Sequence, residues 1–381
     1  MQIVINGNFW AQPSVGSGQY LHGLLRWLPQ VAPQHRYLLL CPAGATATLP
    51  LPSGVSTLTL TTPFDGRNAN LAKLFFEQVA VPKAAQHLAR KVSPSLLFVP
   101  YFAPPLRCTV PLVTTVGDII PMRLPEYRGG AKVQAYMALV RRAVRSSAHI
   151  LTFSGFSRSD VIAHLGLPAE RITAVLLAAD ERYRPADQQV ARAEVARRFG
   201  IAEPFIYYVG GLDARKNLGV LLRALALLRG AGAPVVLALA GRALGGDQRL
   251  FPDIDAQIAE LGLSRDVRRI TVSHEDGPLL YQACTAFAFP SRYEGFGLPP
   301  LEAMACGAPT VVSAASSLPE VVGGAALQVD PDDAVGWASA LSRLLGDPAL
   351  RSELRELGLA QAARFSWRRV AEETVAVLER V

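Results

Sequence analysis

Two acids and one pair of cations are the residues of this chain whose types and spacing can do chemistry. Glu294 and Glu302, with seven residues between them, lie in Phe-Ala-Phe-Pro-Ser-Arg-Tyr-Glu-Gly-Phe-Gly-Leu-Pro-Pro-Leu-Glu-Ala-Met-Ala-Cys-Gly, residues 287–307. The apolar run Ala286–Phe289 predicts a buried strand, which Pro290 and Ser291 end. Gly295 and Gly297 then let backbone come close to a ligand. Pro299 and Pro300 suit a first helical turn, where a missing N–H is no loss. Gly307 suits the residue just past the last turn. Strand, glycine loop and helix N-terminus together make an anion site of amides and a positive dipole end. Taken singly, Glu302 would only complement that dipole, and Glu294 would be a solvated loop acid.

The cations are Arg215 and Lys216, in Gly210-Gly211-Leu212-Asp213-Ala214-Arg215-Lys216-Asn217. This stretch follows a predicted strand, Phe205–Val209, and leads into a predicted helix from Leu218. Arginine offers phosphate a fork of donors and lysine a point charge. Cations at a helix start oppose its dipole, at a cost of about 0.3–1 kcal/mol unless an anion is present. A diphosphate leaving in a transfer reaction builds negative charge that fixed cations, helix N-termini or a metal must neutralise. Two Asp-x-Asp strings, Asp253-Ile254-Asp255 and Asp330-Pro331-Asp332, read as helix capping. With no His cluster beside them, no metal is expected. Nearer the start, Gly16-Ser17-Gly18 follows a strand at Ile3–Ile5 and precedes a helix from about Tyr20; by itself it reads as a plain turn. Asp118, in Gly117-Asp118-Ile119-Ile120-Pro121 after the strand Leu112–Val116, reads as a site residue or an N-cap.

The string Glu294-Gly-Phe-Gly-Leu-Pro-Pro-Leu-Glu302-Ala-Met-Ala-Cys-Gly307 resembles the E-x7-E motif of retaining glycosyltransferase family 4, a family of GT-B fold. The likeness covers nearly the whole chain and is strongest from Phe205 to Pro331. Phe153-Ser154-Gly155-Phe156-Ser157-Arg158, Pro319-Glu320-Val321 and Phe365-Ser366-Trp367 also look like recurring strings of that family. The resemblance implies a retaining, metal-independent transfer of a sugar, mannose among those suggested, from a nucleoside-diphosphate-sugar. The acceptor would be a glycan or a polyprenyl-diphosphate-linked molecule, in bacterial polysaccharide synthesis. Glu294 would sit at the transferred sugar with Gly295 and Phe296, and Asp118 would share the catalytic role. Arg215, Lys216, Gly297 and Leu298 would hold the donor diphosphate, with Gly16 and Gly18 closing on it from the other domain. Glu302 would bind the ribose, and Val272–Asp276, chiefly Val272 and Ser273, would line the base.

Two departures stand out. Gly117 precedes Asp118 where the family often has His, and Gly211 stands where it often has Arg, a role Arg215 would take over. The alternative reading is therefore a sugar-nucleotide-binding protein without turnover.

The elements that position these residues alternate between strand and helix throughout, which predicts parallel sheets covered by helices on both faces. The chain has 381 residues, more than one ordinary core holds. We expect an α/β fold of GT-B type, two Rossmann-like doubly wound domains facing a central cleft, at 1–183 and 184–365. The hinge would lie in the charged, proline-bearing stretch 180–193, and the final helix, 366–381, would pack back on the first domain. A helical stretch at Ala69–Arg90 should be interrupted at Pro82. A helix at Gln134–Ser147 carries Arg141, Arg142 and Arg145 near its end, either a solvated, dipole-matched face or a contact for anionic membrane.

The net charge is +7, and only five of the cations are lysines. Such a balance fits phosphorylated substrates or anionic lipid; nucleic acid is excluded for want of a recognition motif. No apolar run reaches the roughly 18 residues of a membrane span, and Met1–Ile5 enters a strand without the features of a signal peptide. The four cysteines are scattered and read as free thiols. The expected location is the cytoplasm, with peripheral association at the inner face of the membrane.

Overall fold

The structure is a computed structural model that describes residues 1–45, 50–243, 245–273 and 275–381. The chain forms two compact units. The first comprises Met1–Leu177 together with Ser366–Val381, the second Ala178–Phe365.

In the first unit the described strands are β1 (Gln2–Asn6), β2 (Arg36–Pro42), β3 (Val55–Leu60), β4 (Ser95–Val99), β5 (Leu112–Thr115), β6 (His149–Thr152) and β7 (Ile172–Ala174). They lie in the order β3-β2-β1-β4-β5-β6-β7, every neighbouring pair parallel. β1, β4 and β5 are buried at every position, as a parallel sheet covered on both faces requires.

In the second unit the described strands are β8 (Phe205–Val209), β9 (Val236–Ala240), β10 (Val267–Ile270), β11 (Ala286–Phe289), β12 (Thr310–Ser313) and β13 (Leu327–Val329). Their order is β10-β9-β8-β11-β12-β13, again all parallel. Both units are thus the Rossmann-like doubly wound sheets expected. In each, the strand order reverses beside the first strand, between β1 and β4 and between β8 and β11. The loops leaving the C-terminal ends of strands at such a reversal are where open α/β sheets bind ligands.

Three local expectations are corrected. Gly16, Ser17 and Gly18 are not a loop but the first turn of a helix, Gly16–Val31. Gly18 is there for packing, since a Cβ on it would lie 1.9 Å from the carbonyl oxygen of Gln12. The helical stretch around Pro82 is not broken. A π turn, Phe76–Ala80, joins the helices Ala69–Phe75 and Val81–Ala89, and the Val81 N–H reaches back to the Phe76 carbonyl. The wider turn relieves the clash between the proline ring and the carbonyl four residues before it.

The third correction concerns the stretch read as hinge, much of which is helical. The helix Gln188–Phe199 is capped by the Asp187 carboxylate on the N–H groups of Gln189 and Val190, and it ends at Gly200 with φ 67°. Its sequence is too polar for an apolar period to show. At the other end of the chain, the helix Trp367–Leu378 lies on the helix Gly16–Val31. A Cβ on Gly23 would be 2.5 Å from the Trp367 indole, and His35 Nε2 is 2.8 Å from Glu379.

Candidate functional site

Two loops of the second unit, one after β8 and one after β11, flank the reversal point. The first is held by its backbone. A Cβ on Gly241 would fall 2.1 Å from the Gly210 carbonyl oxygen, so the loop starts against a glycine. The Tyr208 hydroxyl donates to the Gly211 carbonyl at 2.6 Å, and the Ala214 N–H donates to Leu250 at 2.7 Å. Ala214–Lys216 then forms a 3₁₀ turn. Asn217 takes the left-handed conformation, φ 55°, which asparagine tolerates, and its amide donates to the Pro331 carbonyl. The helix Leu218–Gly230 follows. Arg215 and Lys216 therefore sit one turn before this helix rather than at its start.

The second loop is tied to the first. The Arg292 N–H and the Ser291 hydroxyl both donate to the Arg215 carbonyl, at 2.9 and 3.3 Å. Further along, the Glu294 N–H donates to Ser316 Oγ at 3.0 Å. The Ser317 hydroxyl donates to the carbonyls of Glu294, at 2.9 Å, and of Phe296. Gly297, with φ 124°, turns the chain into the next helix. A Cβ there would also meet Leu318 Cδ2 at 2.7 Å, so only glycine fits.

This stitching brings Arg215, Lys216 and Glu294 into one ion cluster. Arg215 Nη1 is 2.8 Å from Glu294 Oε2 and donates to the Tyr293 carbonyl at 2.9 Å. Lys216 Nζ is 2.6 Å from Glu294 Oε1 and 4.8 Å from the centre of the Phe289 ring. Asp213 stands 3.3 Å from Arg215 Nε. All four side chains are between 11 and 13% exposed, so water screens them weakly. Burial alone would raise the pKa of Glu294, but the charges of Arg215 and Lys216 outweigh it and hold the carboxyl down at about 2. Burial pulls the Lys216 ammonium below its ordinary value, against the opposing pull of Glu294. With two cations and two carboxylates, the cluster is neutral overall.

The following helix, Leu298–Ala305, starts with two prolines. Pro299 and Pro300 carry no N–H, and Leu301 donates to the Gly297 carbonyl. The amides of Gly297 and Leu298 are what this end can offer a ligand, fewer donors than an ordinary helix start. Glu302, on the second turn, meets a different setting. The Tyr281 hydroxyl donates to its Oε2 at 3.0 Å, and Tyr183 also hydrogen-bonds it. Burial raises its pKa to about 7, only partly offset by these two phenols. The rings of Tyr183 and Tyr281 meet edge-on at 5.8 Å.

The other expected residues fall elsewhere. Ser273 is exposed and its hydroxyl donates to Asp276 at 2.7 Å, at the entry of the helix Gly277–Ala283. Of the stretch Val272–Asp276, His274 lies outside the described residues. Asp118, Gly16 and Gly18 belong to the first unit. Asp118 Oδ1 accepts the Ile120 N–H at 3.1 Å. A Cβ on Gly117 would lie 2.4 Å from the Phe153 ring, so Phe153 fills the space a side chain at 117 would take. Asp253 caps the helix Ile254–Glu260, Asp255 pairs with Arg269 at 3.0 Å, and Asp332 pairs with Arg292. Sequence reasoning missed Asp213, Ser316, Ser317, Tyr183 and Tyr281. A carboxylate two residues before Arg215 was the visible hint for the first; the others are brought in by the fold.

The family described as glycosyl transferases group 1 matches residues 193–360. The O-antigen chain mannosyltransferase B of Escherichia coli is 36% identical over 269 residues, which are 69% of this chain and 68% of that protein. Among solved structures, sucrose-phosphate synthase of Thermosynechococcus elongatus is similar over 100% of this chain and 98% of its own, with a TM-score of 0.77 and 20% identity. Anabaena Alr3699/HepE in complex with UDP-glucose is similar over 100% of both chains, with a TM-score of 0.76 and 20% identity. The fold is of the GT-B type that such proteins share.

Proposed function

This chain belongs to the group 1 glycosyl transferases, and on that premise we propose that it moves a sugar from a nucleoside diphosphate held by its Ala178–Phe365 unit, with retention and without a metal. One observation carries the reading: the loops on either side of the β8/β11 reversal gather Arg215, Lys216 and Glu294 within 2.6–2.8 Å. A neutral cluster of this kind is poised for exchange of partners. An arriving diphosphate takes over the donors of Lys216 and Arg215, and Glu294, ionised at any physiological pH, turns to the hydroxyls of the sugar beside Gly295 and Phe296. The Gly297 and Leu298 amides add two neutral donors to the phosphates. Glu302 accepts the ribose hydroxyls, and Val272 and Ser273 flank the base.

In the transfer step the bond from the anomeric carbon to the diphosphate oxygen breaks and a bond to the acceptor hydroxyl forms on the same face. The acceptor proton passes to the departing diphosphate, so no side-chain nucleophile is needed. The charge left on that group is met by Arg215 and Lys216, which supports a reaction without a metal. The same motif is our ground for proposing membership of retaining family 4.

Mannose is the sugar we propose, on the strength of the O-antigen relative's name. The acceptor is a glycan, free or carried on a polyprenyl diphosphate. We also propose work at the cytoplasmic face of a membrane. The first unit holds 19 Lys and Arg against 9 Asp and Glu, the second 19 against 22, and no described helix is long and apolar enough to cross a bilayer. Binding without turnover is set aside, because the relative that shows the family is a transferase.

The test is to incubate the protein with GDP-mannose, UDP-glucose and UDP-galactose, with and without EDTA, and to read nucleotide release and the anomer formed by NMR. Release from GDP-mannose in EDTA, with the configuration kept, is expected. An inverted product or a requirement for metal would overturn the mechanism.

A further inference from the structure

Among the described residues, two that are not glycine take the left-handed conformation, Asn217 and Ser316, each with φ 55°. Both stand in loops that leave the C-terminal ends of strands in the second unit, Asn217 after β8 and Ser316 after β12, the strand beside β11. Asparagine tolerates that conformation, whereas serine is strained in it. A glycine would make the same turn without strain, so the turn itself does not call for serine. What serine adds is a hydroxyl. Strained residues of this kind gather at binding and catalytic sites, where the surrounding structure holds them in place.

That hydroxyl lies against Glu294. Ser316 Oγ accepts the Glu294 N–H at 3.0 Å, and the fully buried Ser317 hydroxyl donates to the Glu294 carbonyl at 2.9 Å. The backbone of Glu294 is thus gripped on both sides by neighbouring serines, while its carboxylate is taken by Arg215 and Lys216. When a diphosphate engages those two cations, the side chain of Glu294 is the part left to move. Ser316 is partly exposed, and its own proton has no acceptor among the described residues. A hydroxyl that accepts one hydrogen bond still has that proton to give.

We propose that Ser316 is a specificity-determining residue for the sugar of the donor. Its hydroxyl donates to one sugar hydroxyl while the Glu294 carboxylate accepts from a neighbouring one, and its hold on the Glu294 N–H keeps the two groups in register. An acceptor-only carboxylate beside a free donor matches two adjacent hydroxyls, one giving a proton and one receiving. A site built to hydrogen-bond a hydroxyl rejects a ligand that cannot supply it in the right place. The inference rests on the nucleoside-diphosphate-sugar reading of this site. It is separable from that reading, because a nucleoside diphosphate without its sugar has nothing to offer Ser316.

The test is calorimetric titration of GDP, GDP-mannose, UDP and UDP-glucose into the full chain as wild type, Ser316→Gly and Ser316→Ala. Both variants lack the hydroxyl, but glycine relieves the strained φ and alanine keeps it. Ser316→Gly should therefore unfold at the denaturant midpoint of the wild type or above it. Both variants should bind the nucleoside diphosphate as the wild type does. In both, affinity for the sugar nucleotide relative to its own diphosphate should fall about tenfold, for the pair that the wild type binds. An unchanged ratio in either variant, or a loss shared equally by the diphosphate and the sugar nucleotide, would overturn the proposal and leave the donor site standing. A Ser316→Gly midpoint well below that of the wild type would overturn it too, since the serine would then serve the turn. A wild type that binds neither nucleotide would overturn the donor site and this inference with it.

Discussion

Glu294 and Glu302 belong to one loop and helix, yet their surroundings pull them in opposite directions. Glu294 lies between two buried cations and is held ionised, its pKa near 2. Glu302 lies among tyrosines, and burial lifts its pKa to about 7. The difference teaches that a carboxylate's role is set by what the fold brings to it, because the motif supplies the same residue type twice. The first acid is part of a locked ion cluster. The second is a lightly tied acceptor whose charge is open to adjustment near neutral pH.

The largest expected effect comes from breaking the locked end. Glu294→Ala would leave Arg215 and Lys216 buried without their main partner, and loss of one member of a buried pair costs about 3–5 kcal/mol. Chemical denaturation should show a drop of that size. Because the folded pKa of Glu294 is depressed, its contribution is present above the unfolded value near 4.5 and is lost as pH falls toward 2. Glu302→Ala should cost far less at pH 8. Its raised pKa makes its contribution fullest below the unfolded value, and that contribution is lost as pH rises through about 7. Equal losses from the two substitutions at pH 8 would erase the contrast.

The joint between the two regions should come next. Gly297→Ala places a side chain at φ 124° and within 2.7 Å of Leu318. A loss of about 1–3 kcal/mol is expected, read as a lower denaturation midpoint; an unchanged midpoint would mean the turn is not strained.

The smallest effect sharpens the contrast most. If the ionised Glu302 accepts ribose hydroxyls, nucleotide affinity should rise as pH rises through about 7. Below that point it should fall by up to about tenfold per pH unit. Glu302→Gln should flatten this dependence, and comparing the two proteins cancels titration of the nucleotide itself. Parallel profiles for both would show that Glu302 does not face the ligand.

The elements that carry a strong apolar run were legible in the sequence. β4, β8 and β11 stand where the runs Ser95–Val99, Phe205–Val209 and Ala286–Phe289 placed them, since such runs are buried in any parallel sheet. The helix Gln188–Phe199 was not, because it is too polar to show a period; only its Asp187 and Gly200 caps betray it. Gly16-Ser17-Gly18 misled for the opposite reason: a glycine needed where the backbone of Gln12 comes close, as Gly18 is, looks like a turn when no neighbour is visible. Within the site, Arg215, Lys216 and Glu294 were each singled out, but not their mutual pairing, which joins Glu294 to residues 79 and 78 positions before it. The tyrosines around Glu302 were silent too, because Tyr183 comes from the segment that joins the units and no local pattern links it to a helix more than a hundred residues later.

The central claim is that Arg215 and Lys216 receive a nucleoside diphosphate, and calorimetric titration of GDP into the wild type and Lys216→Ala tests it most directly. The account predicts saturable binding by the wild type and a loss of about tenfold or more in the variant, the size of one charge-assisted contact to phosphate. A folded Lys216→Ala protein that binds GDP as tightly as the wild type would contradict it.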